Sequence, residues 1–245
     1  MICFIITKRG QTMELNAFLD RISEPARRAI EQLHCTKLED LLSYSDKELL
    51  ALHGLGPKTI RILNDFLMET KLDRNPKRTA LLVIDVQEAL LDENPYHKEE
   101  LIQNINTLIR LYRSKKNPIF FIRHEGKEGD TLAYGEAGWQ LAKTLDYVDE
   151  PIIDKKYNSA FKDTKLEESL KALSINHLML SGMQTEYCVD ATLKSAFEKG
   201  YQCVVVKGCT STVDNPWLNA DQLIDFYEQA IWPSFAKLIY IDEIK

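Results

Sequence analysis

The 245-residue chain has no apolar run near the roughly 18 residues that a membrane-spanning helix requires. Met1 to Thr7 is apolar, but it is too short for the core of a signal peptide, and its charges follow rather than precede it. A membrane location is therefore not expected. Cysteine is sparse: the five, at 3, 35, 188, 203 and 209, are odd in number and form neither a C-x-x-C pair nor a Cys/His zinc pattern. That argues against a disulfide framework and for a reducing cytoplasm. No G-x-G-x-x-G follows any apolar run, which removes the usual dinucleotide site. Excess positive charge is missing as well. Residues 1–78 carry 13 Lys+Arg against 11 Asp+Glu, and the remainder carries 18 against 26, so no strongly basic nucleic-acid surface is expected.

What is present is a 44% hydrophobic composition, ordinary for a globular protein, in a length that holds one large domain or two small ones. The first part reads as short helices after an arm at 1–13, with residues 1–12 read as an upstream start or a loose arm. Ser23-Glu24-Pro25 is a helix start, because proline loses nothing where the N–H would be unpaired anyway. Thr36-Lys37-Leu38-Glu39 and Ser45-Asp46-Lys47-Glu48 have the S/T-x-x-E form of a capping box. Leu52 to Ile60 then reads as a glycine hairpin opening a helix that runs to about Glu69. Gly54 and Gly56 would let the backbone approach a phosphate, with N–H donors from the helix start and charge from Lys58. A single hairpin with so little net charge favours a packing role over DNA contact.

Thr70 to Arg78 is polar and contains Pro76, so a linker is expected at 71–78. Beyond it, strands at 80–85, 118–123, 151–154, 177–181, 202–207 and 237–242 alternate with helices at 97–114, 136–145, 164–173, 187–199 and 219–231. Such alternation predicts a parallel sheet with helices on both faces. The expected fold is a three-layer αβα domain over 79–245 with a six-stranded parallel sheet, preceded by a small all-α domain over 14–70.

Three segments carry chemistry. Thr79-Ala80-Leu81-Leu82-Val83-Ile84-Asp85 is a strand ending in a carboxylate, and Pro151-Ile152-Ile153-Asp154-Lys155 is a strand ending in lysines. Gly182-Met183-Gln184-Thr185-Glu186-Tyr187-Cys188-Val189 sets a thiol at a strand-to-helix turn, with Val189, Leu193 and Phe197 on one face of the helix. Strand C-terminal ends gather on one edge of a parallel sheet, so an Asp, a Lys and a Cys could meet there. Helix-start N–H groups and a nearby lysine would favour a thiolate, predicting a thiol ionised well below the ordinary value of about 8.5.

Together, these segments resemble the isochorismatase-like cysteine hydrolases over about residues 79–245. The stretch at about 14–70 is similar to the helix-hairpin-helix C-terminal domain of the bacterial RNA polymerase alpha subunit. The first resemblance implies a catalytic set of Asp85, Lys155 and Cys188. Lys155 is preferred to Lys156 because it stands six residues before Phe161. It also implies an oxyanion hole from the N–H groups of Gln184 and Cys188, and a cis bond at Met183–Gln184. Gln87, His124, Trp139, Tyr157 and Phe161 are candidate pocket residues.

The stretch 121–130 offers His124 but no Asp-x-His, so the metal cage of the nicotinamidases is not expected. Neither is any other cofactor. Cys188 points to C–N hydrolysis of a small amide through a thioester, since vinyl-ether hydrolysis needs no such nucleophile. The resemblance further implies a homo-oligomer. The alternative is a DNA- or polymerase-binding protein whose hydrolase domain senses a metabolite.

Overall fold

The computed structural model describes residues 14–70, apart from Ser43, Ser45 and the side chain of Glu39, and residues 78–244. The expected arm at 1–13 and most of the linker lie outside these, as do Ser45 and the Glu39 side chain of the two expected capping boxes. The described residues fall into two compact units on either side of 71–77.

In the first unit, helices α1 (14–19), α2 (Glu24–Glu31), α3 (Leu38–Leu41), α4 (Asp46–Leu50) and α5 (Pro57–Thr70) surround a core that includes Phe18, Leu38, Leu41, Leu49, Leu63 and Phe66. The Asp40 carboxylate accepts from the backbone N–H groups of Thr36 and Lys37, capping the start of α3. Gly54, at φ +99°, turns the chain between α4 and α5. A side chain there would lie 2.7 Å from the Pro25 carbonyl oxygen, so packing alone requires this glycine.

In the second unit the elements are β1 (Thr79–Ile84), α6 (Glu88–Asp92), α7 (Lys98–Ser114), β2 (Ile119–His124), β3 (Ile152–Lys155), α8 (Leu166–Ala172), β4 (His177–Met183), α9 (Asp190–Glu198), β5 (Gln202–Ser211), α10 (Ala220–Phe226) and β6 (Ala236–Ile239). The six strands form one all-parallel sheet in the order β3-β2-β1-β4-β5-β6. The period of two along β1 makes the three layers. Ala80, Leu82 and Ile84 pack with residues of α8 and α9, whereas Leu81 and Val83 pack with Leu101, Ile105, Leu108, Ile109 and Tyr112 of α7.

Several expectations need correction. Residues 136–145 form successive turns rather than a helix, and Leu141 makes an antiparallel bridge to Gln87. Gly135 has φ +87°, and a Cβ on Gly138 would sit 2.6 Å from the Thr131 carbonyl oxygen and 2.7 Å from Ala89. On α9 the buried stripe is Val189, Leu193 and Ala196. Phe197 is exposed and meets Phe235 edge-on at 5.3 Å. The expected helix at 219–231 is α10 followed by a π-helical turn at Tyr227–Ile231.

Candidate active site

The first and fourth strands are adjacent at the centre of the sheet, and their following connections diverge, which opens a crevice at the carboxyl edge. Asp85 follows β1 there in the left-handed conformation, φ +51°, which aspartate tolerates better than most residues. Its backbone N–H still reaches the Ile122 carbonyl at 2.9 Å, continuing the ladder to β2. Opposite Ile84, Gly182 lets β1 and β4 close up. A Cβ on Gly182 would lie 1.9 Å from the Ile84 carbonyl oxygen. After β4 the Met183–Gln184 bond is cis, and Thr185–Val189 form a π-helical turn that carries Cys188 into α9. Lys155 ends β3, paired in register with His124 at the end of β2.

These elements bring four side chains together. The Lys155 ammonium donates to Asp85 Oδ2 at 2.6 Å and to Cys188 Sγ at 3.1 Å, and it stands 3.3 Å from His124 Nδ1. The side chains of Lys155 and Asp85 are 0% and 1% exposed, so the ion pair is closed to water. Asp85 Oδ1 has no partner among the described protein groups, which leaves a buried acceptor beside the thiol. Burial, then the Asp85 charge, pushes the Cys188 thiol up to about 12, against the opposing pull of Lys155. The expected low-pKa thiol is therefore corrected. Lys155 already neutralises one negative charge, and a thiolate would add a second in a dry site.

Asp85, His124 and Cys188 also offer donor atoms that all lie within 4.8 Å of one another, a set able to hold a metal ion. The Lys155 ammonium is within hydrogen-bonding reach of a donor atom on each of the three. A lysine cation thus stands where that set would place a metal, and the residues do not fit a metal cage.

The other sequence-predicted residues divide. Gln87 is fully buried. Its Nε2 donates to the carbonyls of His124 and Trp139 at 2.9 and 2.8 Å, and its Oε1 accepts from the His124 N–H at 2.8 Å. It braces the loop after β2. Trp139 is buried beneath the Arg123 guanidinium, 3.4 Å from its ring centroid, and Arg123 is itself paired with Asp154. Phe161 is buried in the layer with α8 and α9, stacked on Tyr201. Tyr157 is exposed, under the Lys162 ammonium. Asn158, absent from the sequence expectations, places Oδ1 3.9 Å from Cys188 Sγ. Its only signal was its place three residues after Lys155. In the helical unit Gly56 is open to space, and Lys58 is exposed at the start of α5.

The sequence profile of the isochorismatase domain matches residues 79–233. The chain belongs to the isochorismatase family. Within it, the chain is 30% identical over 140 residues to the uncharacterised isochorismatase family protein YddQ of Bacillus subtilis, covering 55% of this chain and 78% of that one. It is 28% identical over 157 residues to nicotinamidase 3 of Arabidopsis thaliana, 58% of this chain and 77% of the relative. The crystal structure of an isochorismatase from Pseudomonas putida KT2440 superposes with a TM-score of 0.65 at 25% identity, over 73% of this chain and 97% of that one. This isochorismatase-family protein is a cysteine hydrolase. Among its described residues no helix is long and apolar enough to cross a membrane.

Proposed function

We propose that this hydrolase cleaves the C–N bond of a small amide through a thioester on Cys188. The observation that carries the reading is the Lys155 ammonium held between the Asp85 carboxylate and the Cys188 sulfur. Because the thiol rests protonated, Asp85 takes its proton as sulfur attacks the amide carbon. Charge then moves from carboxylate to the carbonyl oxygen, and the N–H groups of Gln184, just before the turn, and of Cys188 within it stabilise it. Protonated Asp85 returns the proton to the leaving nitrogen, the C–N bond breaks, and the thioester remains. Asp85 next removes a proton from water, which attacks the thioester carbon. The acid departs, and the proton passes back to sulfur. Lys155 keeps its charge throughout.

The similarity to nicotinamidase 3 supports a C–N bond as the target. The missing Asp-x-His supports a substrate held without a metal. Mass spectrometry after incubation with an amide library tests the proposal. An acyl adduct on Cys188 with release of ammonia or amine is expected, and turnover that survives Cys188→Ala sinks it.

The sequence resemblance of residues 14–70 to the RNA polymerase alpha C-terminal domain motivates the alternative of a DNA- or polymerase-binding protein with a metabolite-sensing hydrolase unit. Open Gly56 and exposed Lys58 favour phosphate contact, whereas Gly54 is accounted for by Pro25. Fluorescence anisotropy against random duplex DNA over a salt series decides it. Binding that weakens steeply with salt supports the DNA-contacting form of the alternative, and no binding removes that form.

A further inference from the structure

An ammonium has three hydrogens, and Lys155 Nζ faces three acceptors: Asp85 Oδ2, Cys188 Sγ and His124 Nδ1. The chemistry proposed above uses the first two. The third, at 3.3 Å, is unused. His124 is delivered by register, as the β2 residue paired with Lys155 of β3. Its backbone is fixed twice over by Gln87, which accepts from its N–H and donates to its carbonyl. Removing one acceptor from a fully buried ammonium would leave a hydrogen without a partner, at considerable cost.

We propose that His124 is a positioning residue with two ends. Its Nδ1 receives the third Lys155 hydrogen, setting the ammonium between Asp85 and Cys188. The Nε2–H that this tautomer requires donates to a second acceptor on the substrate, beside the scissile amide. The inference rests on the reading of Asp85, Lys155 and Cys188 as the reacting set, and it narrows the substrate class. Amides with a neighbouring carbonyl or comparable neutral acceptor fit a neutral N–H donor, and simple aliphatic amides do not.

The surroundings agree with a neutral ring. Burial, then Lys155, pulls the His124 pKa down from its ordinary value, while Asp85, Asp130 and Glu125 act in the opposite direction. The Cys188 thiol also lies close to the imidazole, within 4.8 Å of one of its ring nitrogens. A ring nitrogen that accepts from an ammonium carries no proton, so the proton is on Nε2. Among the described residues no protein group accepts from Nε2, and the ring is only half-buried.

The test is a long-range 15N–1H spectrum of the imidazoles in the full chain, with His124→Asn assigning the signal. A neutral Nε2–H tautomer at neutral pH is expected, losing its preference in Lys155→Met. A protonated ring, or an Nδ1–H tautomer, overturns the proposal. Iodoacetamide labelling of Cys188 gives a second readout, independent of turnover. His124→Asn keeps an acceptor near the Nδ1 position and should label within about twofold of wild type, whereas His124→Phe should label about tenfold more slowly. On an amide panel, His124→Asn should raise KM by a larger factor for substrates with a second acceptor than for those without one. Labelling of His124→Phe at the wild-type rate overturns the positioning role. If Lys155→Ala also labels like wild type, the reading of the reacting set has failed; if only Lys155→Ala changes, this inference alone has failed. Should His124→Phe not fold, the tautomer and His124→Asn decide.

Discussion

Replacing Gly182 by alanine would place a methyl group 1.9 Å from the carbonyl oxygen of Ile84, and neither backbone can retreat without parting β1 from β4. A loss of at least about 3 kcal/mol is expected in urea unfolding, and a near-neutral result would mean that the two strands are not so closely joined. Asp85→Asn separates two roles. It removes the proton acceptor, so turnover should fall by roughly a hundredfold or more. It also removes a charge that pushes the thiol up, so Cys188 should react faster with iodoacetamide near neutral pH than in the wild type. Equal or slower labelling would count against the charge argument. Asp85 and Lys155 were legible as candidates because each ends an apolar, strand-like run, and Cys188 because it stands in the strand-to-helix turn that follows another. The height of the thiol pKa was not, since burial and the distance to Asp85 are properties of the folded site. Nor was Asn158, exposed on a loop and marked by no pattern.

Between residue and molecule, the loop from 125 to 141 is the element whose structure the sequence hid. The sequence predicts a short helix at 136–145, which overlaps the loop's second half. The path is set instead by Gln87, whose amide reaches the backbone at both His124 and Trp139. Gln87→Leu would leave three backbone groups without their partner, the buried Trp139 carbonyl and the part-buried N–H and carbonyl of His124, at up to roughly 1–3 kcal/mol for the buried one. Hydrogen exchange should then rise at 124 and 139–142 while the strands stay protected. Uniform exchange across the unit would show that the brace is not local. Helix α6 escaped for a different reason. Five residues, Glu88–Asp92, are too few to display a helical period. The longer strands and α7 were readable because their apolar spacing extends over many residues; β6 stops at Ile239, short of the expected 242, and β5 outran its expected end where Gly208, at φ +77°, accompanies a shift in register.

At the scale of the molecule, three buried thiols share one behaviour. Cys188, Cys203 and Cys209 are all pushed up to about 12, chiefly by burial. Folded thiols therefore hold protons that unfolded ones release. Their contribution is fully present below the ordinary value and is lost as pH rises towards the folded one, by up to about 1.4 kcal/mol per pH unit for each thiol. The melting temperature should decline steadily through that alkaline window, and the decline should become shallower in Cys203→Ala. An unchanged slope would remove Cys203 from the account. The separation of the described residues into two units gives another expectation, that residues 78–245 alone retain the hydrolase activity of the full chain. Loss of activity in a folded fragment would show that the helices before 71 complete the site.

An amine 3.1 Å from a sulfur that carries an acyl group is ordinarily a hazard, because acyl chains migrate from sulfur to nitrogen and do not return. Along the thioester route every turnover would expose this enzyme to self-acylation. Lys155 escapes because its nitrogen has no lone pair to offer: Asp85, Cys188 and His124 surround it as hydrogen-bond acceptors. The arrangement that steadies the nucleophile thus also disarms its neighbour. Intact-mass measurement after many turnovers should find no acyl group left on Lys155, and a permanent acyl-lysine there would show that the protection is incomplete.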